Sequence, residues 1–172
     1  MTDNEKELAI FVDGRTINGR FSVSHRISDA PYGLDRFHGH TYEISVTLHG
    51  SCSKYGFIFP FEELIKIIEQ ICEKLNNKIL LATGGDNVIK DEGEKIYYVT
   101  ADNKQYVFPK EDVFFMELEE VTAENLAEWI ANQTIEKLKA HQDFYPNIHC
   151  VELTVYEGRN RGVKVKISCH RK

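Results

Sequence analysis

Residues 21–48 read FSVSHRISDAPYGLDRFHGHTYEISVTL, and their two alternating halves decide the fold. Phe21 and Val23 alternate with Ser22 and Ser24; Tyr42, Ile44, Val46 and Leu48 alternate with Glu43, Ser45 and Thr47. A period of two is the mark of a half-buried strand, so the stretch predicts two strands with one apolar face each. His25 shares its parity with Phe21 and Val23, and His38 and His40 share theirs with Tyr42, Ile44 and Val46. Unless a strand bulges, all three imidazoles leave on the apolar side. Gly39, between two of them, predicts a close approach by another backbone.

Working outward, residues 61–75 change period. Phe61, Leu64, Ile65, Ile68, Ile71, Cys72 and Leu75 recur at three and four, which predicts an amphipathic helix with Pro60 at or near its first position. Thr122 is a good N-cap, with Glu124 in the first turn, for a second helix through Leu126, Ala127, Ile130, Thr134 and Leu138, ending near residues 140–144 before Pro146. Trp129 flanks its apolar stripe as a packing residue. Period two returns at Val151, Leu153 and Val155, then, after a turn over 158–162, at Val163, Val165 and Ile167, which predicts a hairpin. Between the helices, residues 83–116 hold a Gly84-Gly85 turn and two short strand-like runs, 95–99 and 105–108, which predict an inserted hairpin. Residues 8–12 form a candidate additional strand. The whole predicts one α+β domain over residues 1–172, with two helices on one face of an antiparallel sheet.

The 172 residues are enough for one core and too few for two ordinary domains. Lys and Arg number 21 against 27 Asp and Glu, a formal charge of -6, which does not suit a phosphate-neutralising surface, so nucleic acid is not an expected partner. No apolar run reaches the roughly 20 residues of a membrane helix, and the start MTDNEKE lacks the basic-then-apolar order of a secretory signal. A cytoplasmic protein with no membrane partner is expected. Cys52, Cys72, Cys150 and Cys169 form no C-x-x-C pair, so they are read as free thiols, and any metal falls to histidines or carboxylates.

Three neutral imidazoles with an open fourth position are the composition of a catalytic zinc site, whereas a structural zinc is normally closed by four protein ligands. His25, His38 and His40 are the candidate ligands; taken singly, each is equally a histidine that only hydrogen-bonds. Glu157 extends the parity of Val151, Leu153 and Val155, so a carboxylate ends an apolar face and needs a partner. Two partners fit: Arg159 or Arg161, or the amino-pyrimidinone edge of a ligand, which offers two parallel N–H donors.

Phe21 to His25 (F-x-x-x-H), His38 to Tyr42 (H-G-H-x-Y), Phe61 to Leu64 (F-x-E-L), Val121 to Ile130 (V-T-A-E-N-L-A-E-W-I) and Val155 to Gly158 (V-Y-E-G) stand in one order. That order resembles the 6-pyruvoyl-tetrahydropterin synthase and 6-carboxy-tetrahydropterin synthase family over about residues 20–170 apart from the insert, which is itself similar to one in archaeal members. The resemblance implies the tunnelling fold (T-fold), in which three subunits close a barrel and two rings stack into a homo-hexamer with intersubunit sites. It implies Zn2+ on His25, His38 and His40, and a pterin held edge-on by Glu157 with Thr122 lining the pocket. The implied activity is a lyase acting on 7,8-dihydroneopterin triphosphate or a related pterin. Guanosine-triphosphate cyclohydrolases share the architecture, but their cysteine ligands have no counterpart here.

The departures bear on the chemistry. The family's usual catalytic cysteine stands four residues before H-G-H, where this chain has Leu34. The Asp-His pair of its proton relay follows the first helix, where this chain has Asn76-Asn77, and asparagine takes no proton at neutral pH. Pro60 replaces an Asp before the helix-opening Phe61. Asp35, in the same loop as Leu34, is the candidate replacement base, with its pKa lowered by the nearby cation; His141 and His149 are the alternatives. The expected products are 6-carboxy-tetrahydropterin for deazapurine (queuosine and archaeosine) synthesis, 6-pyruvoyl-tetrahydropterin, or 6-hydroxymethyl-dihydropterin by retro-aldol cleavage. Loss of the relay makes the retro-aldol route relatively easier, and a non-catalytic pterin- or purine-binding protein is the alternative from another class.

Overall fold

The computed structural model describes residues 8–169, so the acidic start read above, residues 1–7, lies outside the described residues. The quoted segment folds as β2 (Arg20–His25) and β3 (His38–Gly50), paired antiparallel with His25 opposite His38 and Phe21 opposite Tyr42. β1 (Leu8–Asp13) pairs with the second half of β3, so the candidate strand near the N-terminus is present. Gly14, between β1 and β2, has a steric reason: a Cβ there would run into the Ile44 carbonyl oxygen. Ile44, Val46 and Leu48 are fully buried, each contributing roughly 1.5–3 kcal/mol relative to exposure.

Helix α1 (Phe61–Leu75) and helix α2 (Ala123–Leu138) cover that apolar face. Pro60 is the N-cap of α1 and not a helical residue, and its buried stripe is Leu64, Ile67, Ile68, Ile71, Cys72 and Leu75. Phe61, expected in that stripe, is half exposed at the first position of the helix. α2 begins as predicted, with Thr122 Oγ1 accepting from Asn125 N at 3.2 Å, and ends at Leu138, two residues early. Trp129 packs edge-on against Phe114, with ring centroids 5.8 Å apart. β9 (Ile148–Glu157) and β10 (Gly162–Ser168) form the predicted hairpin, and β9 lies along β3 with Glu157 opposite Tyr42.

The region between the helices differs from the expectation. β4 (Lys78–Ala82) and β8 (Val113–Met116) join the main sheet in parallel, so the order is β10-β9-β3-β2-β4-β8 and the sheet is mixed. The expected inserted hairpin is present as β6 (Lys95–Val99) and β7 (Gln105–Pro109), and a further strand, β5 (Val88–Glu92), pairs with β6 to make it a three-stranded antiparallel meander. Both differences have physical causes. Leu80 and Ala82 enter the main core, while Ile79 and Leu81 enter a second core with Ile96 and Tyr98, so β4 is apolar on both faces and shows no alternation. β5 is mostly exposed and charged, so it carries no hydrophobic signal.

Candidate metal and pterin site

The register of β2 on β3 brings His25, His38 and His40 together. Their ring centroids lie 4.6 to 5.3 Å apart, and one ligand nitrogen from each falls within 4.8 Å of the others. This is a group of three side chains that could hold a metal ion. The nitrogens that face away are all engaged. His25 Nδ1 donates to the Val121 carbonyl at 2.6 Å, and His38 Nδ1 donates to the Arg36 carbonyl at 2.8 Å. His40 Nδ1 meets Glu157 Oε1 at 3.1 Å. A carbonyl only accepts, so the proton of His25 and of His38 sits on Nδ1 and the lone pair on Nε2, as in metal-ligating histidines held by an outer hydrogen bond.

The Nε2 of His38 is buried and has no hydrogen-bond partner among the described residues. A buried acceptor in that condition is costly unless something binds it, so the donor set fits a metal with an open position. Tyr42, read in the sequence only as an apolar strand residue, donates its hydroxyl to His25 Nε2 at 3.3 Å. A tyrosine at an inward parity next to a histidine pair was the signal available for it. Burial, reinforced by His38, holds His25 down at about 4, and burial also lowers His40 against the pull of Glu157. Both are thereby kept neutral, the form that binds metals. Burial raises the Tyr42 hydroxyl, which stays protonated as a donor.

The imidazoles open into a cavity of about 270 Å3 whose walls include Leu34, Tyr42, Thr122, Glu124 and Glu157. α2 delivers two of its features at once: the Thr122 cap and, one residue earlier, the Val121 carbonyl that holds His25. Glu157 arrives by its pairing with Tyr42, and its Oε1 takes both His40 and Arg161, the latter at 3.4 Å. Of the two arginines weighed for it, Arg161 is the one in contact.

Other sequence candidates lie elsewhere. Asp35 does not line the cavity, although Leu34 does; its carboxylate is 3.2 Å from Lys104 Nζ, whose hydrogen bond lowers its pKa. Asn76 and Asn77 face a separate depression of about 740 Å3 with Arg20 and Ser22. There they tie the end of α1 to β2: Asn76 Oδ1 accepts from Ser22 N at 2.9 Å, and Asn77, at φ 59, donates N–H to the Ser22 carbonyl at 2.7 Å. Asparagine tolerates that left-handed backbone, which gives the pair a structural reason. His141 stacks edge-on to Phe59 and His149 is exposed on β9, both away from the cavity. Among the described residues a Cβ at Gly39 would meet only the Val23 carbonyl oxygen, at 3.5 Å, so the close approach expected of this glycine is not made there.

The sequence profile of the 6-pyruvoyl tetrahydropterin synthase family matches residues 16–167. A Methanocaldococcus jannaschii protein provisionally named 6-carboxy-5,6,7,8-tetrahydropterin synthase is 32% identical over 154 residues, covering 89% of this chain and 90% of that one. A Pyrococcus horikoshii protein of the same provisional name is 30% identical over 123 residues, 71% and 69% of the two chains. Among solved structures, the Plasmodium falciparum 6-pyruvoyl tetrahydropterin synthase superposes with a TM-score of 0.85 at 22% identity, over 95% of this chain and 99% of that one. The Plasmodium vivax enzyme superposes with a TM-score of 0.84 at 22% identity, over the same shares, in a form in which a catalytic residue, a glutamate, is replaced by alanine. No helix among the described residues is long and apolar enough to cross a membrane.

Proposed function

Because this chain belongs to the 6-pyruvoyl tetrahydropterin synthase family, we propose that it is a zinc-dependent lyase acting on 7,8-dihydroneopterin triphosphate or a closely related reduced pterin. The observation that carries the reading is the convergence of three imidazoles, one with a buried and unpartnered Nε2, on a cavity that also holds Glu157 and Thr122. His25, His38 and His40 would hold the ion through Nε2. A bound zinc supplies Lewis acidity to the hydroxyls of the pterin side chain, making their protons easier to remove.

The chain's own groups do the rest. Glu157 accepts N–H donors from the pyrimidinone edge and fixes the ring, with Thr122 at the wall. Tyr42 stays protonated beside the imidazoles. Asp35, kept ionised by Lys104 but standing behind Leu34 and not at the cavity wall, would take a side-chain hydroxyl proton through one bridging water. The catalytic glutamate of the Plasmodium vivax enzyme supports a carboxylate in that role within this fold. The reading includes a cytoplasmic homo-hexamer with sites between subunits.

Retro-aldol cleavage to 6-hydroxymethyl-dihydropterin is favoured by one observation: Leu34 lines the cavity wall and asparagines fill the relay positions. That route needs only one base: it removes the 2′-hydroxyl proton as the C1′–C2′ bond breaks, the C2′–C3′ fragment leaves as an aldehyde with its triphosphate, and the electron pair left on C1′, delocalised into the pterin ring, takes the proton back from the same group. The test is incubation of zinc-loaded protein with 7,8-dihydroneopterin triphosphate and identification of products by mass. A 6-carboxy, 6-pyruvoyl or 6-hydroxymethyl product that vanishes in His38→Ala supports the lyase and names the branch. Pterin binding with no product leaves a binding protein and ends the lyase reading.

A further inference from the structure

The loop over residues 26–37 does not hold its own shape. Asp29 and Tyr32 stand at φ 52 and 63, a region that costs non-glycine residues, and the Tyr32 side chain is 97% exposed. Its internal ties are a few backbone hydrogen bonds, the best being Ile27 N to the Leu34 carbonyl at 2.9 Å, and one side-chain bond across its ends, from Arg26 Nε to the Asp35 carbonyl. Yet this loop leads directly into His38 and carries Asp35.

Apart from Glu120 Oε2, which accepts from Ser28 N at 3.1 Å, its outside anchors come from the inserted meander and Asn87, the residue before it. The Phe37 ring meets Tyr98, Tyr106 and Phe108 edge-on, with centroids at 5.9, 4.8 and 5.1 Å. Such edge-to-face contacts add direction to burial. Phe37 stands between Arg36, whose carbonyl takes the His38 Nδ1 proton, and His38 itself, so the clamp on its ring fixes both ends of the bond that aims the ligand. At the other end of the loop, Arg26 is buried; its Nε donates to the Asp35 carbonyl at 2.8 Å, and its Nη1 donates to the Tyr98 hydroxyl and to Asn87 Oδ1, each at 3.2 Å. Lys104, in the turn between β6 and β7, reaches Asp35 Oδ2 at 3.2 Å and Asp102 Oδ2 at 2.7 Å. That pair is partly exposed and screened, so it directs the Asp35 carboxylate while the aromatic clamp holds the loop.

We propose that the inserted meander is a working part of the site, positioning through Phe37 and Lys104 the loop that delivers His38 and Asp35. The His38 half is independent of the reaction assigned above; the Asp35 half rests on that reading. Phe37, Tyr106 and Lys104 are positioning residues, since none lines the cavity.

The test reads zinc affinity, with zinc alone as the probe, by competition against a chromophoric chelator. Phe37→Ala and Tyr106→Ala should each weaken binding about 10-fold, the size of an outer-shell loss. The double variant should lose less than the product of the two, and Phe37→Tyr should restore affinity. Should Phe37→Ala fail to fold, Tyr106→Ala carries the test from the insert side. Lowered melting temperatures with unchanged zinc affinity would overturn the proposal, because a merely structural role moves only the former. Lys104→Met should lower kcat about 10-fold with KM and zinc affinity unchanged, and Lys104→Arg should rescue it. Full kcat in Lys104→Met, where Asp35→Asn is inactive, overturns the Lys104 half. Full activity in Asp35→Asn instead ends the base assignment and leaves the zinc-affinity result standing.

Discussion

His38 and Asp35 are three residues apart, yet different physics places them. His38 begins β3 opposite His25, so the ladder that aligns Phe21 with Tyr42 also sets where its backbone stands, and the loop enters only in aiming its ring, through the Arg36 carbonyl. Asp35 sits on a loop whose shape is imposed by side chains of an insert lying some 60 to 70 residues on, notably Tyr98, Tyr106 and Lys104. A ladder couples each residue to many backbone hydrogen bonds, and slipping it by one would turn every side chain to the other face. A clamped loop depends on a handful of contacts. The ligand half should therefore be rigid and fail all at once, whereas the loop half should be adjustable and fail by degrees.

The harshest break is His38→Ala. It removes one of three nitrogens without touching the ladder, so the metal-to-chain ratio should fall far below one, an affinity loss beyond the roughly 10- to 100-fold of an outer-shell change. Turnover should disappear with it. A ratio unchanged from the parent would remove His38 from the ligand set.

Asp35→Asn comes next and probes the loop half. If Asp35 is the base, turnover drops by about 10²- to 10⁴-fold while metal content holds, a split that no ligand variant can produce. Full turnover with full metal content would release Asp35 and leave the search for a base to the cavity wall.

The same contrast explains what could be read in the sequence. The strands β2, β3, β9 and β10 and the common side of the histidines followed from parity, and both helices from their spacing of three and four, because each has one face turned to the core and one turned to solvent. β4 and β8 were invisible for the opposite reason: Ile79 and Leu81 face the insert while Leu80 and Ala82 face the main core, so no period of two survives. Tyr42 was legible as an inward residue but not as a donor to His25, since parity gives a direction and not a distance. The partner of Asp35 was out of reach altogether. Lys104 lies 69 residues away, on a strand-to-strand turn whose placement depends on the second core.

Burial of the ligand half gives a prediction about pH. In the metal-free fold His25 is held at about 4, against 6.5 for the free side chain, with burial the main cause. A depressed value means that the unfolded chain binds the proton more readily. Stability from this group is thus fully present above about pH 6.5, is lost as the pH falls toward 4, and levels off below it. The gap corresponds to about 3 kcal/mol. Urea unfolding of the chelated protein from pH 7.5 to 4 should show that decline, and His25→Gln should flatten much of it. A parent curve no steeper than the variant's would contradict the tight burial on which the ligand half depends.

Thr122 gives the smallest effect and the finest cut between the two kinds of placement. Its hydroxyl caps α2 by accepting from Asn125 N at 3.2 Å, and its side chain is also part of the cavity wall. The cap fixes where α2 begins, hence where the Val121 carbonyl stands to receive the His25 proton at 2.6 Å. Thr122→Ala should cost about 1 kcal/mol of unfolding free energy, the usual loss for a missing N-cap, and Thr122→Ser should restore it. Pterin affinity separates the roles. If Thr122 serves only as a cap, the serine variant recovers binding together with stability, because it returns the hydroxyl. If its methyl group packs on the ligand, stability recovers and affinity does not. The second outcome would make the start of α2 a contact for the pterin as well as a support for the metal, drawing a helix terminus into the half of the site that the strands otherwise build.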